Sequence, residues 1–150
     1  MPSGAEPQFQ LCNCLALRQA ARHVTQFYDQ FLAPAGLRTT QLSILAKLKG
    51  LGPMTINALA RELVMDRTTL GRTMLPLERD GLISIGPGAS DRRSKALQIT
   101  RAGERRLRVA QKLWSEAQKE FEAAFGRERS AKLREELRVL ASSSLGREQR

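Results

Sequence analysis

The sequence is poor in the residues that most often carry chemistry. Its 150 residues include two cysteines, Cys12 and Cys14, and a single histidine, His23. Two thiols one residue apart make no disulfide framework. A lone histidine with no Cys or His cluster around it makes no zinc site, so neither a metal nor another cofactor is expected. Runs apolar enough to span a bilayer are missing. The opening MPSGAEPQFQ lacks the basic-then-apolar order of a signal peptide, so a cytoplasmic location and no membrane partner are expected. No glycine-rich phosphate loop, nucleophile elbow or metalloprotease helix is found, which argues against an enzyme. Acidic groups are scarce too: 15 Asp and Glu face 25 Lys and Arg, a net charge of +10. That imbalance favours a polyanion as partner, because neutralising phosphates releases counterions. An acidic membrane surface is the competing reading of charge alone. The excess is spread as +3 over 1–54, +2 over 55–100 and +5 over 101–150, so it does not by itself locate a site.

What is present is periodicity. After a Pro- and Gly-containing start expected to be mobile, Leu11, Cys14, Leu17, Ala21, Val24, Tyr28 and Phe31 fall three or four apart, one stripe of a long helix stopped by Pro34 and Gly36. A second helix is expected over 39–49, with Leu42, Leu45 and Leu48 inward and Gly50, Gly52 and Pro53 breaking it. Thr55 reads as the N-cap of a short helix, and Asp66 as the N-cap of the next, over 67–80, with Leu70, Met74 and Leu77 inward. Gly81 stands where a left-handed residue closes that helix. Pro76 should kink its C-terminal half. The period then changes to two: 82–85 and 96–100 read as strands around a polar, basic loop. From Thr100 the pattern is helical again, with Leu107, Ala110, Trp114, Ala117, Phe121 and Ala124 forming a helix–helix seam. After Gly126 a last helix carries Leu133, Leu137 and Leu140. The terminal stripes exceed what a monomer of this size covers, so a homodimer built from both chain ends is expected.

The middle of this order is a helix-turn-helix followed by a hairpin. In such readers the start of the second helix meets base edges in the major groove. Here that start offers Arg67 and Arg72 for guanine and Thr68, Thr69 and Thr73 for phosphates, base edges or thymine methyls, with Gly71 removing bulk. The hairpin offers Arg92, Arg93 and Lys95, suited to a minor groove, with Asp91 placed to pair with a neighbouring arginine. Taken singly, each stretch is equally an ordinary solvated surface; their succession favours double-stranded DNA as partner.

These residues resemble the MarR family of regulators over nearly the whole chain, from about Leu11 to Leu140. The most specific part is LVMDRTTLGRTMLPLERDGL, residues 63–82. Asp91-Arg92-Arg93-Ser94 matches the family's wing motif, and Ile99-Thr100-Arg101-Ala102-Gly103 its entry to the long fifth helix. Pro76 departs from the helix-favouring residue usual there. The resemblance implies a mainly α fold: a winged helix-turn-helix with a two-stranded β wing, flanked by terminal dimerisation helices. The parts would be an N-terminal dimerisation helix (1–36), the DNA-binding region (37–100) and C-terminal dimerisation helices (101–150). It implies that Arg93 enters the minor groove with Asp91 orienting it. It further implies a dimeric repressor that leaves a near-palindromic operator when a small aromatic or lipophilic effector binds.

Effector sites in such proteins lie between the dimer helices and the DNA-reading lobe, where Arg18, Arg22, His23, Tyr28, Leu45 and Trp114 are the candidate lining residues. Ordinary surface or interface roles are the simpler reading of each. The stretch Gln10-Leu11-Cys12-Asn13-Cys14-Leu15 also resembles the organic-hydroperoxide-sensing branch of the family, with either Cys12 or Cys14 as the reactive residue. A helix N-terminus favours a thiolate. If both lie within one helix, about 200° of rotation separates the two thiols and keeps them apart. A redox-sensing repressor is therefore the alternative to a ligand-responsive one. A non-specific architectural DNA binder is the alternative of a different class, and an interaction module without DNA binding is a third.

Overall fold

A computed structural model describes residues 6–88 and 93–145. In order, the elements are α1 (Glu6–Gln10), α2 (Asn13–Leu32), a 3-10 turn (Ala33–Ala35), α3 (Thr39–Leu51), α4 (Ile56–Leu63), α5 (Arg67–Arg79), β1 (Ile83–Pro87), β2 (Lys95–Ile99), α6 (Arg101–Phe125) and α7 (Arg127–Ser142). The mainly helical architecture with a single antiparallel hairpin is the one expected.

Local chemistry explains most of the boundaries. Thr55, Asp66 and Thr100 are extended N-caps whose side-chain oxygens accept the backbone N–H three residues on. Gly81 takes φ 72° after α5, and Gly36 takes φ 69° after the turn begun by Ala33-Pro34.

Four details differ from expectation. A short helix, α1, precedes α2, and its end is closed by Leu11 and Cys12 donating to the carbonyls of Gln8 and Phe9. Helix α3 runs through Gly50 to Leu51, because the residue with positive φ is Gly52, at 82°. Gly50 inside a helix costs only about 1 kcal/mol. The wing is longer on its β1 side: Gly86 pairs with Ala96 and Pro87 with Lys95, so Lys95 belongs to a strand. Pro87 is tolerated at a strand end on a sheet edge. Finally, Met54 and Leu97 exchange backbone hydrogen bonds of 3.1 and 2.8 Å, tying β2 to the α3–α4 connection.

The core lies in the middle of the chain. Leu32, Ile44, Leu45, Leu59, Leu70 and Leu77 are essentially solvent-free, joined by Leu82, Ile83, Leu97, Leu107 and Ala110. Thus α3, α4, α5, the wing and the first half of α6 close around one interior. Beyond it, α2 and α7 lie largely open: Leu11, Leu15 and Leu17 at one end of the chain and Leu133, Leu137 and Leu140 at the other are exposed. No helix among the described residues is long and apolar enough to cross a membrane.

Candidate nucleic-acid interface

Two amphipathic helices and a turn set the site. α4 and α5 meet through Val64, whose φ of 52° makes it the only non-glycine residue with positive φ among those described. Its N–H bonds back to the carbonyls of Ala60 and Arg61, and that of Met65 to Ala60, closing α4. Asp66 then opens α5. Its carboxylate accepts the Thr69 N–H at 2.9 Å and the Thr69 hydroxyl at 2.6 Å. These two bonds, the hydroxyl first, hold the Asp66 carboxyl below the usual carboxylate range. Buried Leu70, Met74 and Leu77 fix the rotation of α5, leaving Arg67, Thr68, Thr69 and Arg72 exposed on its first two turns.

The wing is held against this helix from behind. The Thr100 hydroxyl donates to the Gly81 carbonyl at 2.6 Å, and the Thr100 N–H donates to Leu82 at 3.0 Å. Gly103 packs so closely that a Cβ there would lie 2.1 Å from the Leu82 carbonyl oxygen. Only glycine allows that approach, which joins the end of α5, the root of the wing and the start of α6 into one corner.

The result is a crevice of about 490 Å³ between helix and wing, with Arg67 of α5 on one wall and Arg93, Ser94 and Lys95 on the other. Met74, Ile85 and Leu97 form its apolar floor, and Thr55 and Asn57 at the start of α4 complete it. Sequence reasoning did not single out Asn57. The signal was available, since the first helix of such motifs crosses the phosphate backbone.

Not every candidate gathers there. Thr73 is half-buried on another flank of α5, lining a crevice with Thr25, Asp29 and Arg38, and its hydroxyl donates to the Thr69 carbonyl. Asp91 and Arg92 lie outside the described residues. Pro76 lies inside α5, which continues through it to Arg79.

The six candidate effector residues do not converge. Leu45 is fully enclosed in the lobe core and offers no surface to a ligand. Its helical spacing made it inward-facing, and the interior it faces is the sealed one. Trp114 is 41% exposed, while half-buried Leu113 packs toward the core in its place. The seam on α6 therefore runs through Ala110, Leu113 and Ala117 and leaves Trp114 outside it. Arg18, Arg22 and His23 are exposed on α2. Tyr28 is half-buried, donates to Gln118 at 2.5 Å and lines an apolar groove of about 350 Å³ with Val24, Phe121 and Leu133. Burial, reinforced by the nearby Glu122 carboxylate, raises the Tyr28 phenol above its ordinary value.

Cys12 and Cys14 are free and exposed. Cys12 is the extended N-cap of α2, its sulfur accepting the Leu15 N–H at 3.4 Å. It therefore stands outside the helix that carries Cys14, and the half-turn separation expected within one helix does not apply to the pair.

Residues 37–95 match the sequence model of the MarR family. Among solved structures, the chain is similar to the Mycobacterium tuberculosis transcriptional regulator MosR in complex with DNA, at 36% identity and a TM-score of 0.78, covering 87% of this chain and 93% of that one. It is similar to the transcriptional repressor CouR bound to a 23-mer DNA duplex, at 26% identity and a TM-score of 0.80, covering 89% and 95%. Over 90 residues it is 31% identical to the HTH-type transcriptional regulator YwoH of Bacillus subtilis, a stretch spanning 60% of this chain and 65% of that protein.

Proposed function

Because the chain belongs to the MarR family of winged helix-turn-helix DNA-binding transcriptional regulators, we propose that it works as a homodimeric, sequence-specific repressor, released from a near-palindromic operator by a small aromatic or lipophilic effector. The observation that carries this reading is the shared crevice in which Arg67 of the recognition helix faces Arg93 and Lys95 of the wing. A duplex laid across it meets a helix in its major groove and a basic hairpin at the adjacent minor groove. Arg67 and Arg72 read guanine, Thr68 and Thr69 take phosphate or thymine contacts, and Arg93 and Lys95 anchor the flanking groove. Thr73, half-buried with its hydroxyl donating to the Thr69 carbonyl, has less surface to offer DNA than Thr68 and Thr69.

The dimer is supported by what is left uncovered. Residues 37–100 form the reading unit, while 1–36 and 101–150 present Leu11, Leu15, Leu17, Leu133, Leu137 and Leu140 to a second copy. That DNA binding is the activity draws support from the DNA complexes of MosR and CouR, and CouR is a repressor.

The test is selection of duplexes from a random-sequence pool by the full-length protein, followed by a reporter fusion to the DNA upstream of its own gene. The expected outcome is paired half-sites about one helical turn apart, reporter activity that rises when the protein is removed, and release by an aromatic carboxylate. Binding with a steep salt slope and no enriched sequence would instead identify an architectural protein.

The exposure of both free thiols favours a second reading, a redox-sensing repressor. There an organic hydroperoxide passes an oxygen atom to a cysteine sulfur, giving a sulfenic acid and an alcohol. Operator release by hydroperoxide that is lost in Cys12→Ser or Cys14→Ser supports it; equal release of wild type and both variants excludes it.

A further inference from the structure

Helix α3 is the first element of the reading lobe. Its own first turn supplies one cap: the Gln41 side-chain oxygen accepts the Arg38 N–H at 3.0 Å. A second acceptor comes from another helix. Asp29, three residues before the end of α2, accepts both the backbone N–H and the hydroxyl of Thr39, the first residue of α3, each at 2.7 Å. A carboxylate at a helix N-terminus satisfies an orphan donor and meets the positive end of the helix dipole. Here it also pins the end of one helix to the start of the next, across the turn through Pro34 and Gly36.

Around this contact the packing is open. Crevices of about 670 and 360 Å³ both have Asp29, Arg38, Gln41 and Pro76 among their lining residues, so α2, the start of α3 and the C-terminal half of α5 are not packed solid there. Leu70, Met74 and Leu77 are packed beneath α5, but close-packed side chains, which elsewhere fix one helix against another, do not fill the outer gap between the end of α2, the start of α3 and Pro76. On this side of the lobe the Asp29–Thr39 pair holds the orientation of α3, and α5 packs on α3. α2 belongs to the dimerising arm, so the pair joins the arm to the reading head.

We propose that Asp29 is a positioning residue for DNA recognition: through Thr39 it sets the separation and tilt of the two recognition helices in the dimer, and thereby the half-site spacing the protein accepts. It need not touch DNA. This rests on the dimeric, two-half-site reading above. One base pair changes the separation of half-sites by about 3.4 Å and about a tenth of a turn. A latch of this kind is what makes such a change costly.

The test uses full-length protein and a duplex selected by the wild type, with central insertions or deletions of one base pair and a control carrying one half-site. Binding is measured for wild type, Asp29→Ala, Thr39→Val and Thr39→Ser, with dimer mass checked by light scattering. Wild type should prefer the selected spacing by about tenfold or more, the cost of misplacing one good base contact. Asp29→Ala, which removes the acceptor of both bonds, and Thr39→Val should flatten that preference to within about threefold while leaving single-half-site affinity within about twofold. Thr39→Ser, which keeps both bonds, should retain the wild-type profile. Equal spacing preference in wild type and Asp29→Ala overturns the proposal. So does a uniform loss on every duplex, the single half-site included, which is the signature of a merely destabilised fold. If Asp29→Ala fails to fold, Thr39→Val, which leaves the backbone bond in place, decides by the same criteria. A wild type indifferent to spacing contradicts the two-half-site reading itself, a result distinct from failure of the latch.

Discussion

The two halves of this molecule solve burial in opposite ways. The reading lobe is closed: Ile44, Leu45, Leu59 and Leu70 expose none or almost none of their surface. The arms stay open, with Leu11 at 81%, Leu15 and Leu17 at 40%, and Leu133, Leu137 and Leu140 near the same level. Both carry the same kind of helical apolar stripe. The lobe buries its stripe within one chain and the arms leave theirs uncovered; on the dimer proposed above, stability of the first should be independent of concentration and that of the second should not.

Substitutions can separate the two. Leu45→Ala removes side-chain volume from the closed interior and should cost about 2–5 kcal/mol, lowering Tm in calorimetry. Leu133→Asp combined with Leu137→Asp should leave the lobe folded, yield a monomer in light scattering and weaken operator binding by about 100-fold through loss of the second half-site. If the doubly substituted protein remains dimeric, the arms do not make the interface. Val64→Gly sharpens the comparison from within the lobe. A β-branched residue held at φ 52° is strained, and at 73% exposure its side chain contributes little packing. The glycine variant should be more stable by about 1 kcal/mol in urea unfolding, the strain released.

The smallest effect expected is one of pH. Thr69 holds the Asp66 carboxyl below its ordinary range, so the folded state binds its proton less readily than the unfolded state. The cap therefore contributes fully above the usual Asp value, near 4, and is lost as pH falls through the lower folded value. The Tm advantage of wild type over Asp66→Asn should be present at pH 7 and shrink toward pH 3. A constant difference would mean that the Asp66 charge is not what caps α5.

Much of this was legible in the sequence because it is local. Thr55, Asp66 and Thr100 announce their helices by residue type, Gly81 closes α5 with the positive φ expected, and the change of period after it marks the hairpin. What could not be read was contact between distant segments. Asp29 reaching Thr39 and Met54 pairing with Leu97 leave no periodic trace. Leu45 shows the limit in another form: helical spacing identifies an inward face but not whether the interior behind it is sealed or open to a ligand. Trp114 fits the same spacing as Ala110 and Ala117 yet is exposed, because the buried face of α6 runs through Ala110, Leu113 and Ala117, one residue of rotation away from it. Thr73 shares its short hydroxyl side chain with Thr68 and Thr69, and residue type alone does not show that helical rotation leaves it half-buried while they are exposed.

The most direct test of the account is a double-mutant cycle with Arg67→Ala and Arg93→Ala on a selected operator, read by fluorescence anisotropy over a range of salt concentrations. Each single change should weaken specific binding by about 1–3 kcal/mol. Arg93→Ala should also reduce the salt slope by about one. If both variants are folded and bind with wild-type affinity and salt dependence, the crevice between helix and wing is not where this protein meets DNA.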